Sequence, residues 1–473
     1  NEFVLCASAY QPWIDKYPGS TAGGKHYCLN RNNTYWEYSR PFWDYQARCS
    51  ALMRKGVPVV DICVYLGQNP PVKLVTYRLP EIPEGYDFDV CTAEALVGRT
   101  MAVDGRLTLP TGISYSLLVI QRNNDMPLHV LRHIAGLVKG GVIVCGPRPD
   151  GSDSLKDKAE SEEYRALVDE LWGELTTVSQ IRKVGKGKIY ENIPLSEVLK
   201  YENIRPDIAI KSGNTAKDKV YFVHRRLSDA DVYFLNNHSD RAFHDTVRLR
   251  TDARQAEYWD AVTGQRYMIP VKASGEKGML LNLTLAPRES GFIVTSNNQA
   301  TGLLPIIADV QETITPIEGS WNVYFDPRWG GPGKVVFDEL IDWTVHADTG
   351  IRYYSGTAVY HKELNLAIPA QNERLLLRFP RLGSLARVWV NGKEVVTVWC
   401  SPWEADITSY VHEGKNNLKI EVVNSLMNRM IGDASLPESE RFTYAYPQIA
   451  TPTDKLVPSG IMEQLNLVYR QCQ

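Results

Sequence analysis

Residues 11–65 read QPWIDKYPGSTAGGKHYCLNRNNTYWEYSRPFWDYQARCSALMRKGVPVVDICVY, and their reading decides the fold. Trp13, Tyr17, Tyr27, Tyr35, Trp36, Tyr38, Phe42, Trp43 and Tyr45 alternate there with Arg31, Glu37, Arg40 and Asp44. A pyranose offers a weakly apolar C–H face to an aromatic ring and a rim of hydroxyls to charged groups, so this mixture suits a sugar pocket. The alternative is an ordinary aromatic core. Phe42 to Gly56 carries apolar residues at three- and four-residue spacing behind Pro41, and predicts a helix. Val57 to Leu66 then predicts one apolar strand. A helix followed by a fully apolar strand is an α/β unit, and in a barrel of such units functional side chains sit at the C-terminal ends of strands. Asp61 and Tyr65 are therefore expected to face a ligand; the alternative for Asp61 is a buried acid held by backbone donors.

Outward from this stretch the pattern changes twice. A proline-rich segment, Gly67 to Pro83, marks a first boundary. Beyond it come a strand ending at Thr92, a hairpin from Met101, an apolar strand Ser116 to Gln121, an amphipathic helix Pro127 to Lys139 stopped by Gly140-Gly141, a strand Val142 to Cys145 and a helix Ser161 to Trp172, which together predict a doubly wound α/β unit. The loops starting at Gly146 and Gly185 lack the glycine spacing and the lysine-threonine pair of a phosphate cradle, and Pro147 and Pro149 remove amide donors, so no nucleotide cofactor is expected. From Lys219, short strands at turn-punctuated spacing predict a small antiparallel β domain, with Trp259 in its core or, as the alternative, a platform for a sugar ring. A final run of alternating strands, with Asn391-Gly392 as a type I′ hairpin turn, predicts a jelly-roll sandwich.

Composition fits a globular chain of several domains. Of 473 residues, 44% are hydrophobic and 23% charged, and the net charge is -3. The 52 basic residues are scattered and outnumbered by 55 acids, so nucleic acid is not an expected partner. No apolar run approaches the length of a membrane span. The eight cysteines show no metal-ligand spacing, and Asn32, Asn237 and Asn282 head glycosylation tripeptides. Phe3 to Ala9 reads as a buried strand directly after Asn1, without initiator methionine or leader, so further sequence is expected upstream.

Several phrases carry a family resemblance. Gln11-Pro12-Trp13, Pro18-Gly19, Arg31 to Trp36, Tyr45 with Arg48-Cys49, and Val59-Val60-Asp61-Ile62 resemble the closing segment of the catalytic barrel of family 106 glycoside hydrolases, the α-L-rhamnosidases. Tyr354 to Ala358, Val388 to Gly392 and Asn424 to Asp433 resemble the galactose-binding-like sugar-binding domain shared with family 2 hydrolases, in which many apparent sugar-binding residues only stabilise the fold. The resemblance implies residues 1–80 as the end of a (β/α)8 barrel, 81–218 as an amidotransferase-like α/β domain without its nucleophile elbow, 219–300 as the small β domain and 301–473 as the sandwich. It implies inverting hydrolysis of rhamnosylated plant-type polysaccharide by two glutamates lying upstream of residue 1, with Trp13, Arg31, Trp36, Asp61 and Tyr65 binding substrate. Export to the periplasm or beyond follows from the family alone, and so does an active-site calcium ion, although no Asp-x-Asp-x-Asp loop is present. Ser8-Ala9-Tyr10 stands where the family usually has a histidine, and Tyr35 where tryptophan is commoner, so sugar preference stays open. The alternative is a chain that binds glycans, or plays a structural part, without cleaving them.

Overall fold

A computed structural model describes residues 33–67, 79–121, 126–152, 161–174, 178–212, 220–275, 277–298, 304–305, 311–443 and 450–471. The expectations for Phe3 to Ala9, Trp13 and Arg31 lie outside the described residues.

The predicted helix forms over Arg40–Met53 with a proline in its first turn, where no intrahelical N–H is needed. Gly56 ends the approach in a left-handed conformation (φ +60), and a Cβ there would meet the Arg226 carbonyl at 2.1 Å, so only glycine fits. The single strand expected over Val57 to Leu66 is instead two strands in two different sheets. Val57–Pro58 pairs antiparallel with Val220–Arg226. Ile62–Tyr65 lies parallel between Phe88–Cys91 and Leu117–Ile120. The chain crosses between them at Val59, whose N–H donates to the His224 carbonyl, and Asp61, whose carbonyl accepts from Ser116 and Leu117. Ile62–Tyr65 is thus an inner strand of the α/β sheet rather than a barrel strand, the boundary expected near residue 80 falls inside one sheet, and no open edge is left at this strand.

That sheet has six strands. Its parallel strands, taken in chain order as Ile62–Tyr65, Phe88–Cys91, Leu117–Ile120, Ile143–Cys145 and Gly187–Glu191, lie in the spatial order 2-1-3-4-5, closed by antiparallel Gln180–Val184. This is a doubly wound order, as expected of the α/β unit, but it takes in Ile62–Tyr65 from before the expected boundary. Helix Leu128–Lys139 covers one face with Val130, Leu131, Ile134 and Val138, all buried. The two loops weighed as phosphate cradles are structural. Gly185 turns the Gln180–Val184 hairpin. The Gly146 N–H donates to Tyr190 O and the Arg148 N–H to Glu191 Oε1, so neither amide is free for an anion.

Two antiparallel sandwiches follow. In the first, a sheet containing Val220–Arg226, Ala230–Asn237, Ser290–Ser296, Gln255–Trp259 and Arg266–Ile269 faces a four-stranded sheet built on Phe243–Leu249 and Met279–Leu285. Tyr233, Leu235, Leu249, Met279, Leu281 and Ile293 fill the space between. Ile208–Ile210 and Val57–Pro58 join these sheets, so the domain recruits strands from before residue 219. Asn237 is fully buried and its Nδ2 donates to Arg241 O and Ala286 O, which removes it as a glycosylation site.

In the second, a six-stranded sheet centred on Thr357–Leu366 and Gly414–Val423 faces a four-stranded sheet centred on Glu373–Arg378 and Asn466–Gln471. Asn391 (φ 52) and Gly392 (φ 79) make the predicted turn. The strand Thr357–Leu366 follows a helical turn, Thr349–Arg352, capped by Asp348. Asn424, Asn428, Arg429 and Asp433 are buried and bond inward: Arg429 Nε to Asp433 at 2.9 Å, Asn424 Nδ2 to Tyr354 O at 2.9 Å, and Asn428 Nδ2 to Val457 O at 2.7 Å. They hold the fold rather than a sugar. Among the described residues no helix is long and apolar enough to cross a membrane.

Candidate functional site

Asp61 sits at the start of Ile62–Tyr65, the amino-terminal end of the parallel sheet, and not at the carboxyl end expected of a barrel residue. It is 2% exposed. Its Oδ1 accepts from Ser116 Oγ at 2.7 Å and its Oδ2 from Arg250 Nη2 at 2.7 Å. Arg250, at the end of a sandwich strand, also reaches Asp207, with Nε at 2.8 Å and Nη2 at 2.6 Å from Oδ1. Beyond Asp207 the chain of charges continues. His224 Nδ1 lies 3.1 Å from Asp207 Oδ1 and its Nε2 3.0 Å from Asp231 Oδ1, while Arg226 Nε donates to that same oxygen at 2.9 Å. Both ring nitrogens of His224 thus lie within hydrogen-bond distance of a carboxylate. Three carboxylates then face Arg250, Arg226 and the histidine, which is how buried charge is tolerated.

The field of this network acts on its members. Burial would lower the Arg250 pKa, but Asp207 and Asp61 outweigh it and raise it. Burial would likewise raise Asp231; the hydrogen bonds from His224 and Thr251 and the charges of His224 and Arg226 hold its carboxyl down at about 2. Arg106 has its pKa lowered by burial, against the pull of Asp61 and with the repulsion of Arg250 and Arg226. Asp61, Arg106, Arg226, Asp231 and Arg250 line one side of a cleft of about 920 Å³ between the α/β sheet and the first sandwich; Asp207 and His224 are buried and are not part of its lining.

The other sequence candidates are placed elsewhere. Tyr65 is 1% exposed and packs in the α/β core, since alternation along the strand sends Cys63 and Tyr65 to the helix-covered face; it presents no surface to a ligand. Trp36, in the turn Trp36–Tyr38, is 42% exposed and available for stacking, but it does not line the cleft with Asp61. Most of the aromatic belt described here is interdomain packing. Phe42 and Tyr45 meet Trp399 edge-on at 5.7 and 5.6 Å, and the Arg387 guanidinium lies 4.2 Å from the Tyr38 ring centre. The helix they belong to also packs Cys49, Leu52 and Met53 on the first sandwich, so it ties the two sandwiches together. Among the described residues no three His, Cys, Asp or Glu side chains converge as a metal site. Sequence reasoning missed Arg250, Asp207 and His224, which carry no local motif.

Comparison with known proteins gives the class first. Residues 308–469 match the sugar binding domain of family 2 glycosyl hydrolases. Residues 1–272 match the alpha-L-rhamnosidase family, glycoside hydrolase family 106, and the chain belongs to that family. The solved rhamnosidase of Novosphingobium sp. PP1Y is 28% identical, with a TM-score of 0.84 over 98% of this chain and 44% of its own. A Formosa agariphila protein carrying a provisional beta-glucuronidase name is 23% identical over 92% of this chain and 55% of its own length. The chain therefore spans about half the length of these relatives.

Proposed function

We propose that this chain is part of an enzyme that removes terminal α-L-rhamnose from plant-type polysaccharides or glycosides. The observation that carries this is the backbone match to a rhamnosidase along nearly the whole chain, at a TM-score of 0.84. Hydrolysis proceeds with inversion, one glutamic acid protonating the leaving oxygen and one glutamate activating water. Both belong to a portion of the enzyme that this chain does not span, in keeping with its covering 44% of the similar structure. The described portion supplies the scaffold, the exposed Trp36 face and the Asp61 cleft, while the C-terminal sandwich, read as a galactose-binding-like jelly roll, presents the glycan. Trp13 and Arg31 join the substrate contacts in the same proposal. Polysaccharide cannot enter a cell intact, so the enzyme works in the periplasm or outside.

The test is hydrolysis of an aryl α-L-rhamnoside by the complete enzyme and by this chain alone, with proton NMR following the first anomer of rhamnose released. Turnover by the complete enzyme alone, giving the inverted anomer, is expected. A retained anomer would refute inversion, and turnover by this chain alone would place the catalytic groups within it. Glycan binding without turnover by the complete enzyme would favour a non-catalytic role.

A further inference from the structure

The cleft beside Asp61 carries more positive than negative charge. Arg106, Arg205, Arg226, Arg248, Arg250 and Lys277 line it against Asp61, Asp229, Asp231 and Asp252. Arg250 is committed to Asp61 and Asp207, and Arg226 to Asp231. Arg106 is different. Its Nε, Nη1 and Nη2 donate to Ser114 Oγ, Ser116 Oγ and Ser114 O at 3.0, 2.8 and 3.0 Å, all neutral acceptors. Its nearest carboxylate, Asp61, stands 3.9 Å off and is already engaged by Ser116 and Arg250. Three hydrogen bonds to neutral acceptors thus fix a guanidinium at the cleft wall, with only the longer 3.9 Å pair to Asp61 set against its charge. Among the described residues Arg248 makes one side-chain hydrogen bond, to the Lys277 carbonyl at 3.4 Å, and neither it nor Lys277 has a carboxylate partner.

A rigid guanidinium fork is matched by a carboxylate, which accepts two parallel hydrogen bonds, and its side-chain entropy here is already lost before binding. Among the described residues the cleft lining has no aromatic ring, so a neutral pyranose finds no stacking face on them. Ser228, Ser296, Asn297 and Asp252 on the same wall are partners for hydroxyl groups, and the volume exceeds that of one monosaccharide. We propose that this cleft, at the amino-terminal end of the parallel sheet, binds an acidic saccharide by its carboxylate, with Arg106 and Arg248 as the anion contacts. The carboxylate half of the proposal rests on this geometry and the saccharide half on the family assignment.

Isothermal titration of the full chain with digalacturonate, methyl α-L-rhamnoside and inorganic sulfate decides it, independently of any turnover. Digalacturonate is expected to bind, to weaken about tenfold in either Arg106→Gln or Arg248→Ala, and to weaken strongly between about 0.05 and about 0.5 M NaCl. Arg248→Ala removes only one long hydrogen bond, so it reports on binding even where Arg106→Gln loses stability. No binding of digalacturonate, wild-type affinity in Arg248→Ala, or equal affinity for the neutral rhamnoside would overturn the proposal. Sulfate binding as tightly as digalacturonate would reduce the site to a general anion patch and overturn its saccharide half.

Discussion

Replacing Arg250 by methionine should cost more stability than any other single change at the junction of the α/β sheet and the first sandwich. The substitution keeps the volume of the stem and removes the guanidinium that bridges Asp61 and Asp207, which are 2% and 0% exposed, leaving Arg106 at 3.9 Å from Asp61 and His224 at 3.1 Å from Asp207. Removing one partner of a buried ion pair leaves an uncompensated charge and costs about 3–5 kcal/mol. The Arg250 side chain is itself 27% exposed, so water relieves part of this and about 3 kcal/mol is the expected loss. For a unit of this size that lowers the thermal midpoint by roughly 6–12 °C. Urea unfolding followed by tryptophan fluorescence, with the denaturant slope compared between variants, measures it. The triple variant Arg250→Met, Asp61→Asn, Asp207→Asn should recover about half of the loss, because it leaves no unpaired charge. A loss under about 0.5 kcal/mol in Arg250→Met, or a triple variant less stable than the single one, would refute the network as the joint between the two domains.

Stability should respond to acid in two opposite ways. Asp231 has its folded pKa depressed to about 2, so its contribution is present above the unfolded value near 4 and is lost as pH falls from about 4 to about 2. Asp87 is raised from 3.8 to about 6 by burial and by the charges of Asp89 and Asp207, so stability should fall as pH rises from about 4 to about 6, and Asp87→Asn should abolish that slope and stabilise the protein at neutral pH; thermal midpoints across pH check both. Trp36→Ala should raise KM of the complete enzyme about fivefold, near 1 kcal/mol of lost stacking, with no change in melting temperature; unchanged kinetics would return Trp36 to a plain surface role. Asp150→Ala, in the loop after Gly146, should leave turnover within about twofold, and a hundredfold loss would show a functional role for that loop.

Much of this fold is legible in the chain because it is written locally. Asn391-Gly392 needs two left-handed residues and names its own hairpin. The strands Val220–Arg226 and Ser290–Ser296 and the helix Leu128–Lys139 follow from period and punctuation alone. Trp36 and Asp61 were named as substrate contacts from residue type and neighbours, but that one is an exposed ring and the other a buried acid before the start of a strand is visible only in the fold. What the chain could not specify is which sheet a strand joins. Val57 to Leu66 is one apolar run, yet Pro58 and Asp61 divide it between two domains, and only the partners Arg226, Phe88 and Leu117 decide that. The same gap hid the site. Asp61, Asp207, His224 and Arg250 are separated by up to 189 positions, and a charge network assembled over such distances leaves no periodic trace. Propensity and turn chemistry act within a few residues; the balance of buried charge is settled only when the sheets that carry it are packed together.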